Sequence, residues 1–565
     1  MKPHNFNSKI YLFKTIPLLL LLLIFPGSKI VSIHPFGESG DDDIYTRINR
    51  NMDIFGRVYK EIALNYVDEV DPEKFMKAGI DGMLNTLDPY TNFLDESRKD
   101  EIDLLTTGRY GGIGITISIK DSMIVITEIM EGYSAQKEGL RKGDLILEID
   151  GISLAGKKAG DVRAFVRGAA GSQLKMKIKR GDKELDFVLT RQEIKLKNVT
   201  YKGIISEGVG YIKLERFNQN TENEVIEALT ELNSKGPVKG IVIDLRDNPG
   251  GLLDAALSIL NKFTDRGSLL LTTRGRRLDS EKKYFSTEDP VLKKDIPLAV
   301  IINDNSASAS EIFAGAVQDL DRGVVVGTKS FGKGLVQVYS PLSYNNQLKI
   351  TNQKYFTPSG RWIQTKNYFR ENKYSVFKPN PYFSQTEFKT LNGRIVYAEG
   401  GITPDSVIVS YENNELLDEL LSQDFYYRFA EKYVYEHPEI VNADVSDGIA
   451  DEFYDFLNAQ SFDYKAGAET KLSELKDLLN EKKYSDKVNK LVSELETELK
   501  LERLRDFDAS KVLIKRQLEI ELMKKLNKTE KEIIDAGFNE DIQLQTALSI
   551  ITNRELYNRF LNIGR

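Results

Sequence analysis

Three serines lie at the junction between a predicted strand and a predicted helix. The apolar run 298–302 is typical of a buried strand, and an alanine-rich segment predicts a helix from about Ser310 to Leu320. Ser306 and Ser308 precede that helix, whose first turn presents free backbone N–H groups and partial positive charge. Such groups stabilise the oxyanion that forms when a serine hydroxyl attacks a carbonyl. The junction therefore indicates nucleophilic serine chemistry, with tight helix packing by small residues as the alternative.

A serine nucleophile needs a base, and the chain offers a lysine rather than a histidine. The three histidines stand at positions 4, 34 and 437, outside the segment 40–410, and no Gly-x-Ser-x-Gly motif occurs. Lys333 lies on a loop where Gly332 and Gly334 would let the backbone bring it close to a serine. A buried lysine can lose its proton near neutral pH. A Ser-Lys pair is therefore the catalytic arrangement that remains.

The segment 327–334 also approaches the pattern of a phosphate-binding loop. In that pattern a serine or threonine follows the lysine to hold magnesium, and a helix comes next. Here Gly334 follows Lys333, and residues 335–339 have the pattern of a strand. Nucleotide binding is therefore not expected.

Composition excludes further classes of function. The chain has 565 residues, too many for a single hydrophobic core, so we expect three or four domains. The formal net charge of −7 argues against nucleic acid as a main partner. The absence of cysteine excludes thiol catalysis, thiolate metal sites and disulfide bonds. We expect neither a metal nor a cofactor.

From Val199 onwards the pattern is that of an α/β domain. Residues 240–245 form a continuous apolar run, typical of a parallel strand that is buried on both faces. An Asn-Pro-Gly-Gly turn follows, and its glycines permit close approach of the backbone. We expect the N–H of Ala309, together with that of Gly250 or Gly251, to form an oxyanion hole. A plain turn and helix cap is the alternative.

Residues 108–194 alternate as strands do, are punctuated by turn glycines, and resemble a PDZ domain. Their opening, Gly111-Gly112-Ile113-Gly114, would cup a terminal carboxylate with backbone N–H groups. The ligand peptide would then add as an extra strand. The predicted groove helix contains no histidine, so selection of serine or threonine through such a histidine is not expected. The alternative is a β module whose glycines only form turns.

Several sequence blocks in order resemble the carboxy-terminal processing peptidases, the tail-specific serine proteases built on a Ser-Lys dyad. The resemblance covers roughly residues 43–409. It implies that Ser308 is the nucleophile, Lys333 the base and Gln337 the residue that positions the lysine. Only the family register selects Ser308 from its flanking serines. The matching blocks are Leu87–Leu94, Gly111–Gly114, Ile243–Gly251, Ser306–Gly315, Phe331–Gly334 with Gln337, Tyr355–Gly360 and Gly400–Asp405.

The same resemblance implies a multidomain α+β protein, with a crotonase-like α/β protease core and an inserted PDZ-like β domain. A helical N-terminal segment and a helical C-terminal extension complete the chain. The predicted divisions are a signal peptide or N-terminal anchor (1–28), the helical N-terminal segment (43–107), the PDZ domain (108–194), the serine protease core (195–410) and the C-terminal extension (411–565).

The first residues have the layout of a secretory signal. Lys2, Lys9 and Lys14 are followed by a short apolar run, Ile16–Phe25, and then by Pro26-Gly27-Ser28. A cleaved signal, an uncleaved anchor and a buried helix are the three interpretations, and the lack of cysteine excludes a lipoprotein anchor. We expect an exported protein, either periplasmic or anchored on the outer face of the cytoplasmic membrane.

The C-terminal extension is rich in lysine, glutamate and leucine at helical spacing. Residues 470–504 predict one long helix, and a final helix is predicted to run to Leu561. This part carries no catalytic signal. Its helices either present a solvated face or contact an activating partner or a second subunit.

These features together predict an exported serine endopeptidase that cuts protein substrates near their C-termini. Its PDZ domain would bind the free C-terminus of the protein or peptide substrate. One alternative is a catalytically inactive PDZ-containing scaffold, which the intact set of Ser308, Lys333 and Gln337 opposes. Another is an acyl-CoA enzyme with a crotonase-like core, which the PDZ insertion and the Ser-Lys pair oppose.

Overall fold

The computed structural model describes residues 41–564 with short gaps, so the predicted signal segment 1–28 lies outside the described residues. Within the described residues, no helix is both long enough and apolar enough to span a membrane. The residues left out are 96–103, 105, 121–122, 158, 182, 207, 366–385, 399, 410–414, 461, 465–466, 482–483, 527 and 540.

Of the described residues, 41–79 form a helical unit of their own. It contains helix α1 (Asp41–Asn65) and most of helix α2 (Pro72–Leu84), which begins with proline in its first turn. The Tyr59 hydroxyl donates to the carbonyl of Pro72 at 2.7 Å. The Tyr59 ring stacks on that of Phe75 with 5.7 Å between ring centroids. These contacts join the two helices.

The PDZ-like domain is an antiparallel sheet with the strand order β3-β4-β5-β7-β8, to which β6 is added at β5. Strand β3 is the terminal strand of this sheet, and helix α4 packs beside it. Strands β2 and β9 pair separately at the base of the domain. The elements are β2 (Arg109–Gly112), β3 (Ile115–Lys120), β4 (Met123–Ile129), α3 (Ser134–Lys137), β5 (Leu145–Ile149), β6 (Ile152–Ser153), α4 (Ala159–Val166), β7 (Gln173–Arg180), β8 (Lys183–Thr190) and β9 (Gln192–Lys195).

The protease core is built on a six-stranded sheet with the order β10-β11-β12-β15-β16-β21, in which only the β10–β11 pair is antiparallel. All five residues of β12 are buried, as the continuous apolar run predicts. Helices α5, α6 and α7 cover one face. The elements are β10 (Val199–Ser206), β11 (Val209–Leu214), α5 (Thr221–Ser234), β12 (Gly240–Asp244), α6 (Leu253–Asn261), β15 (Leu298–Ile302), α7 (Ala309–Asp319), β16 (Val324–Gly327) and β21 (Ser406–Val407).

The last helices of the chain cover the opposite face of this sheet. Leu544, Ile551 and Tyr557 are buried against strand residues that include Val242 and Ile301. These helices are α14 (Ile542–Thr552) and α15 (Arg554–Phe560). The end of the predicted C-terminal extension is therefore part of the protease core, which the sequence pattern did not indicate.

A second sheet lies next to the first, and the loop that contains Lys333 leads into its strand β17. Its order is β1-β18-β13-β14, and β17 also pairs with β18, antiparallel and along residues 347–354. Strand β1 comes from the segment predicted to be helical, so that segment contributes a strand to the core. A small hairpin, β19 with β20, is separate. The strands are β1 (Asn92–Leu94), β13 (Leu269–Gly275), β14 (Lys282–Phe285), β17 (Leu335–Pro341), β18 (Gln347–Phe356), β19 (Glu387–Lys389) and β20 (Ile395–Tyr397).

The C-terminal extension begins with a helical bundle that has its own apolar core. The prediction of a single long helix over 470–504 is wrong, because one helix ends at Glu481, residues 484 and 485 are not helical, and the next helix begins at Asp486. The predicted final helix is likewise two, because the Asn553 side chain caps α15 by accepting from the N–H of Leu556. The elements are α8 (Glu415–Ser422), α9 (Phe425–Glu436), α10 (Asp447–Ala459), α11 (Gly467–Glu481), α12 (Asp486–Lys525) and α13 (Glu530–Gly537).

The packing of α14 on the core sheet leads to a stability prediction. Leu544 is fully buried there, so Leu544→Ala should destabilise the protein by about 2–5 kcal/mol. The matched control is Leu478→Ala on α11, where the side chain is 62% exposed and the change should stay within about 0.5 kcal/mol. Thermal unfolding of both variants measures the difference. Equal melting temperatures would contradict the assignment of α14 to the core.

Candidate active site

Ser308 lies immediately before helix α7 in a strained backbone conformation. Its φ of 55° and ψ of −110° fall where side-chain-bearing residues are rare, at a cost of order 1–3 kcal/mol. Such strain turns a side chain out of a strand-to-helix junction and is common at nucleophiles, although no glycine flanks Ser308 directly. The Tyr355 hydroxyl donates to the Ser308 carbonyl at 3.3 Å, which ties the turn to the second sheet.

The structure distinguishes Ser308 from its two neighbours without reference to a family. Ser306 and Ser310 are fully buried. The Ser306 hydroxyl donates to the carbonyl of Leu245 at 2.8 Å, and the Ser310 hydroxyl donates to the carbonyl of Asn248 at 2.9 Å. Both hydroxyls are therefore engaged in holding the turn. Ser308 is half-buried and is the serine of the three that an incoming peptide could reach.

A buried carboxylate joins the serine turn to the lysine loop. Glu311 is fully buried, and its Oε2 accepts from the backbone N–H of Ser308 at 2.8 Å and from that of Lys333 at 2.9 Å. Its Oε1 accepts from the Ser330 hydroxyl at 2.6 Å and from the N–H of Gly332 at 2.6 Å. Burial raises the pKa of the Glu311 carboxyl to about 7, and the four donors oppose that rise because they stabilise the ionised form. The backbones of Ser308 and Lys333 are thus bound to one oxygen atom.

The glycines around Lys333 are required by close packing, as the sequence suggested. Gly332 has a φ of +84°, and a Cβ there would lie 1.7 Å from Thr365 Oγ1. A Cβ on Gly334 would lie 2.7 Å from the indole nitrogen of Trp362. Side chains at either position would therefore push the lysine loop away from the serine turn.

The Lys333 side chain is half-buried, and its Nζ lies 4.4 Å from the centre of the Tyr90 ring. Burial lowers the pKa of Lys333 to about 8, with the positive charge of Lys349 as a second cause, while Glu311 and Asp88 oppose the shift. Among the described residues no hydrogen bond joins Lys333 Nζ to Ser308 Oγ. The two groups are thus held near one another through their backbones, with the ammonium resting on an aromatic face.

Gln337 lies on β17 and begins a series of side-chain hydrogen bonds that includes two polar neighbours. Its Nε2 donates to Thr351 Oγ1 at 3.0 Å, and the Thr351 hydroxyl donates to Asp88 Oδ1 at 3.2 Å. Asp88 also accepts from the N–H groups of Tyr90 and Thr91, at 2.8 and 2.9 Å. Both Gln337 and Lys333 are among the described residues, and no hydrogen bond joins them. The geometry links it instead to the segment that supplies Tyr90.

The two glycines of the Asn-Pro-Gly-Gly turn have different environments. Gly250 N–H donates to Asn248 Oδ1 at 2.9 Å, so of the two glycines predicted as oxyanion donors this one has its amide engaged within the turn. Gly250 is required for space instead, because a Cβ there would lie 2.9 Å from Ser308 Cβ. Within the described residues, the N–H groups of Gly251 and Ala309 donate to no protein atom. Both amides are therefore available to donate to a bound group.

The Gly111–Gly114 segment leads into the edge strand β3. A Cβ on Gly111 would lie 1.8 Å from the carbonyl oxygen of Gly168, and Gly114 has a φ of +83°. The carbonyls of Ile113 and Gly114 accept from Ala135 and Met130 at 3.0 and 2.9 Å. No described residue accepts from the N–H groups of Ile113 and Gly114. They are available to bind a carboxylate at the start of the edge strand β3, beside which α4 packs.

Three residues of this site were not assigned from the sequence. The sequence does contain a signal that could have identified Glu311, because Ser308 and Glu311 have the Ser-x-x-Glu spacing of a capping box. Tyr90 and Asp88 lie in the block Leu87–Leu94, for which the sequence predicts no site residue, and only its pairing with β18 brings it to the lysine.

Comparison with known proteins gives four family matches. Residues 208–369 match peptidase family S41, and residues 125–180 match the PDZ domain. Residues 416–551 match the family described as "Probable PDZ-protease, C-terminal helical domain". Residues 34–98 match the family described as "Activating protease CtpB N-terminal domain".

Individual relatives agree with these matches. A carboxy-terminal-processing protease of Bartonella bacilliformis is 36% identical over 343 residues, which cover 60% of this chain and 77% of the relative. A probable CtpA-like serine protease of Staphylococcus aureus is 33% identical over 344 residues, which cover 60% of this chain and 66% of the relative. Among solved structures, the photosystem II D1 C-terminal processing protease is 26% identical with a TM-score of 0.35, covering 63% of this chain and 92% of that one.

The fold and the site define a serine-type peptidase with a PDZ domain and a multidomain α+β architecture. The chain belongs to the carboxy-terminal-processing protease family, as the extent of the match to the Bartonella protein shows.

Glu311 provides a direct test of this geometry. Glu311→Gln replaces one acceptor oxygen with an NH₂ donor that would face other donors, so the serine turn and the lysine loop should separate. We expect kcat/KM to fall by about 100-fold or more, because small displacements of catalytic groups have effects of that size. Ser330→Ala removes one of the four donors and should cause a smaller loss. Peptide cleavage at wild-type rates by Glu311→Gln would contradict the proposed link.

Proposed function

We propose that Ser308 is the nucleophile and Lys333 the general base of this peptidase. The observation that carries the proposal is the shared bond to Glu311 Oε2, which holds the backbones of both residues to one atom. The pKa of Lys333, lowered to about 8, supports the assignment because a lysine accepts a proton only when it is neutral. The strained backbone at Ser308 also supports it. An inactive binding scaffold does not require a strained serine, and no observation favours that alternative.

In the acylation step neutral Lys333 Nζ takes the proton of Ser308 Oγ, and the oxygen attacks the carbonyl carbon of the scissile peptide bond. The ammonium of Lys333 then gives the proton to the leaving amine, and the C–N bond breaks. The product segment after the cut departs with a new amino terminus, and the remainder stays on Ser308 as an ester. Water then attacks the ester carbonyl while Lys333 takes its proton, the C–O bond to Ser308 breaks, and the remaining segment leaves with a new carboxyl terminus. The proton on Lys333 passes to Ser308 Oγ, which regenerates the serine.

We propose that the N–H groups of Ala309 and Gly251 stabilise the oxyanion in both steps. Ala309 lies in the first turn of α7, where the helix dipole adds partial positive charge. Gly251 supplies a second donor from the neighbouring turn. Gly250 contributes by lying against Ser308, which lets the two turns approach one another.

Gln337 is proposed to position Lys333 through the chain of Thr351 and Asp88 rather than by a direct bond. Asp88 orders the segment that places the Tyr90 ring against Lys333 Nζ. A change at Gln337 would therefore reach the lysine through the aromatic ring that supports it.

We propose that the substrate is a protein or peptide whose free C-terminus binds at Gly111, Gly112, Ile113 and Gly114. The free backbone N–H groups of the last two and the open edge of β3 support this binding mode. When the tail is bound there, substrate residues that precede it would reach Ser308, so the cut would fall near the C-terminus.

Location, core architecture and partners are also proposals. The basic and apolar layout of residues 1–28 supports export to the periplasm, or anchoring on the outer face of the cytoplasmic membrane. Parallel strands covered by helices support a crotonase-like core. Exposed leucines on α12, including Leu491 and Leu495, support contact with an activating partner or a second subunit. Cell fractionation and sedimentation test the first and third of these proposals.

The protease function is tested with an unfolded casein-like substrate. We expect the wild-type protein to degrade it and Ser308→Ala to leave it intact. Ser310→Ala is the matched control, since its hydroxyl is buried in the turn, and it should retain measurable cleavage. Degradation by Ser308→Ala would remove Ser308 from the role of nucleophile.

The base assignment is tested with Lys333→Arg across pH. Arginine keeps the charge but does not lose its proton at working pH, so this variant should be about as inactive as Lys333→Ala. In the wild type kcat/KM should rise with pH, with its midpoint at a pH of about 8, because the neutral lysine is the active form. The exposed Lys329 serves as control, and Lys329→Ala should keep this profile. Substantial activity in Lys333→Arg would exclude Lys333 as the base.

Recognition of the tail is tested with a pair of peptides that differ only in C-terminal amidation. The amide removes the negative charge that the N–H groups would bind, so kcat/KM should fall, mostly through a higher KM. Equal kcat/KM for the two peptides would refute carboxylate recognition by the PDZ domain.

A further inference from the structure

A buried cluster of charges closes the end of strand β12, just before the turn that lies against Ser308. The Asp244 carboxylate is fully buried and accepts from the Tyr211 hydroxyl at 2.6 Å. The Arg246 guanidinium donates to it at 2.6 Å, and Lys213 Nζ lies 3.3 Å from it. Lys213 also donates to the carbonyl of Arg246 at 2.8 Å. The cluster therefore fixes both the side chain and the backbone of Arg246.

The far end of the chain completes this cluster. Arg246 Nη2 donates to Asp541 Oδ2 at 2.6 Å, and Nη1 donates to Gln543 Oε1 at 3.2 Å. The side chains of Arg246 and Asp541 are only 12% and 11% exposed. Gln543 in turn donates to the carbonyl of Ile408 at 2.9 Å. Asp541 is thus a largely buried carboxylate from the C-terminal segment, aimed at an arginine of the catalytic turn.

The chain continues from Arg246 directly into the residues that contact the serine. Asp247 has a φ of 62°, and its N–H donates to Asn303 Oδ1 at 2.9 Å. Three residues later Gly250 packs against Ser308, where a Cβ would lie 2.9 Å from Ser308 Cβ. Gly251, one of the proposed oxyanion donors, follows. A shift of Arg246 would therefore move the turn that carries this donor.

We propose that Asp541 is a positioning residue of the catalytic turn, which it holds in place through Arg246. This inference rests on the proposed function of Ser308 and Gly251. It gives the C-terminal helices a role in the reaction in addition to covering the sheet.

Charge balance explains why this carboxylate matters. The cluster contains two carboxylates, Asp244 and Asp541, and two cations, Lys213 and Arg246. Without the charge of Asp541 the guanidinium would keep only Asp244 as its anionic partner, with one N–H group facing a weaker acceptor. Arg246 would then be held firmly from the Asp244 side alone, and both the guanidinium and the turn that follows it would be less tightly fixed.

Asp541→Asn isolates the charge from the helix cap. Asp541 Oδ1 accepts from the N–H of Leu544 at 3.0 Å, and asparagine caps helices about as well as aspartate does. The matched control is Asp535→Asn on α13. Asp535 also joins the C-terminal segment to the core, by accepting from the Tyr201 hydroxyl on β10, but it does not contact Arg246.

The experiment measures kcat and KM on a free-tailed peptide, the melting temperature, and hydrogen exchange of the amides in residues 246–251. For Asp541→Asn we expect kcat to fall by about 10–100-fold, KM to stay within about 3-fold, and exchange to become faster. Asp535→Asn should keep the wild-type kcat and the wild-type exchange rates, even if its melting temperature falls as much as that of Asp541→Asn.

Two outcomes would overturn the inference. One is wild-type exchange and kcat in Asp541→Asn, and the other is an equal loss of kcat in Asp535→Asn, which would indicate a general effect on stability. If the wild-type protein itself cleaved nothing, the proposed function would fail. The exchange comparison would still decide whether Asp541 holds the turn.

Discussion

The arrangement of the site depends on one buried carboxylate, that of Glu311. Burying a carboxylate is unfavourable unless donors satisfy it, and here four donors from the serine turn and the lysine loop do so. The loop and the turn can therefore pack together only when this residue lies between them. The same low-polarity surroundings disfavour the charge on Lys333, which places its pKa at about 8 and makes the neutral amine available near physiological pH.

A second constraint is the sheet that carries the turns, because it must be covered on both faces. Helices α5 to α7 cover one face, and α14 and α15, which begin nearly 300 residues after the end of β12, cover the other. The catalytic turns emerge at the ends of these buried strands, so their positions depend on both layers. The C-terminal segment is thereby part of the enzyme's core, while the helical bundle before it has an apolar core of its own.

Local patterns in the sequence predicted the strand, turn and helix around Ser308, the glycine-flanked lysine and the buried parallel strand. Each of these follows from residues close together in the chain. The residues that were missed act across long separations: Tyr90 reaches Lys333 because β1 pairs with β18, and α14 reaches β12 from the other end of the chain. Whether Gly250 or Gly251 offers a free N–H also depended on a side chain, Asn248, whose orientation no spacing rule predicts. The choice of Ser308 over Ser306 and Ser310 required either a family register or the observed burial of their hydroxyls.

The central claim is that Ser308 is activated by neutral Lys333 in a site that leaves the neighbouring serines inert. The most direct measurement is the position and rate of covalent labelling by a serine-reactive fluorophosphonate, with peptide mapping by mass spectrometry at a series of pH values. The account predicts label on Ser308 and on neither Ser306 nor Ser310, at a rate that rises with pH through about 8. It also predicts that Lys333→Arg abolishes this labelling. Label on another serine, or a rate on Ser308 that neither pH nor the lysine substitution changes, would contradict it.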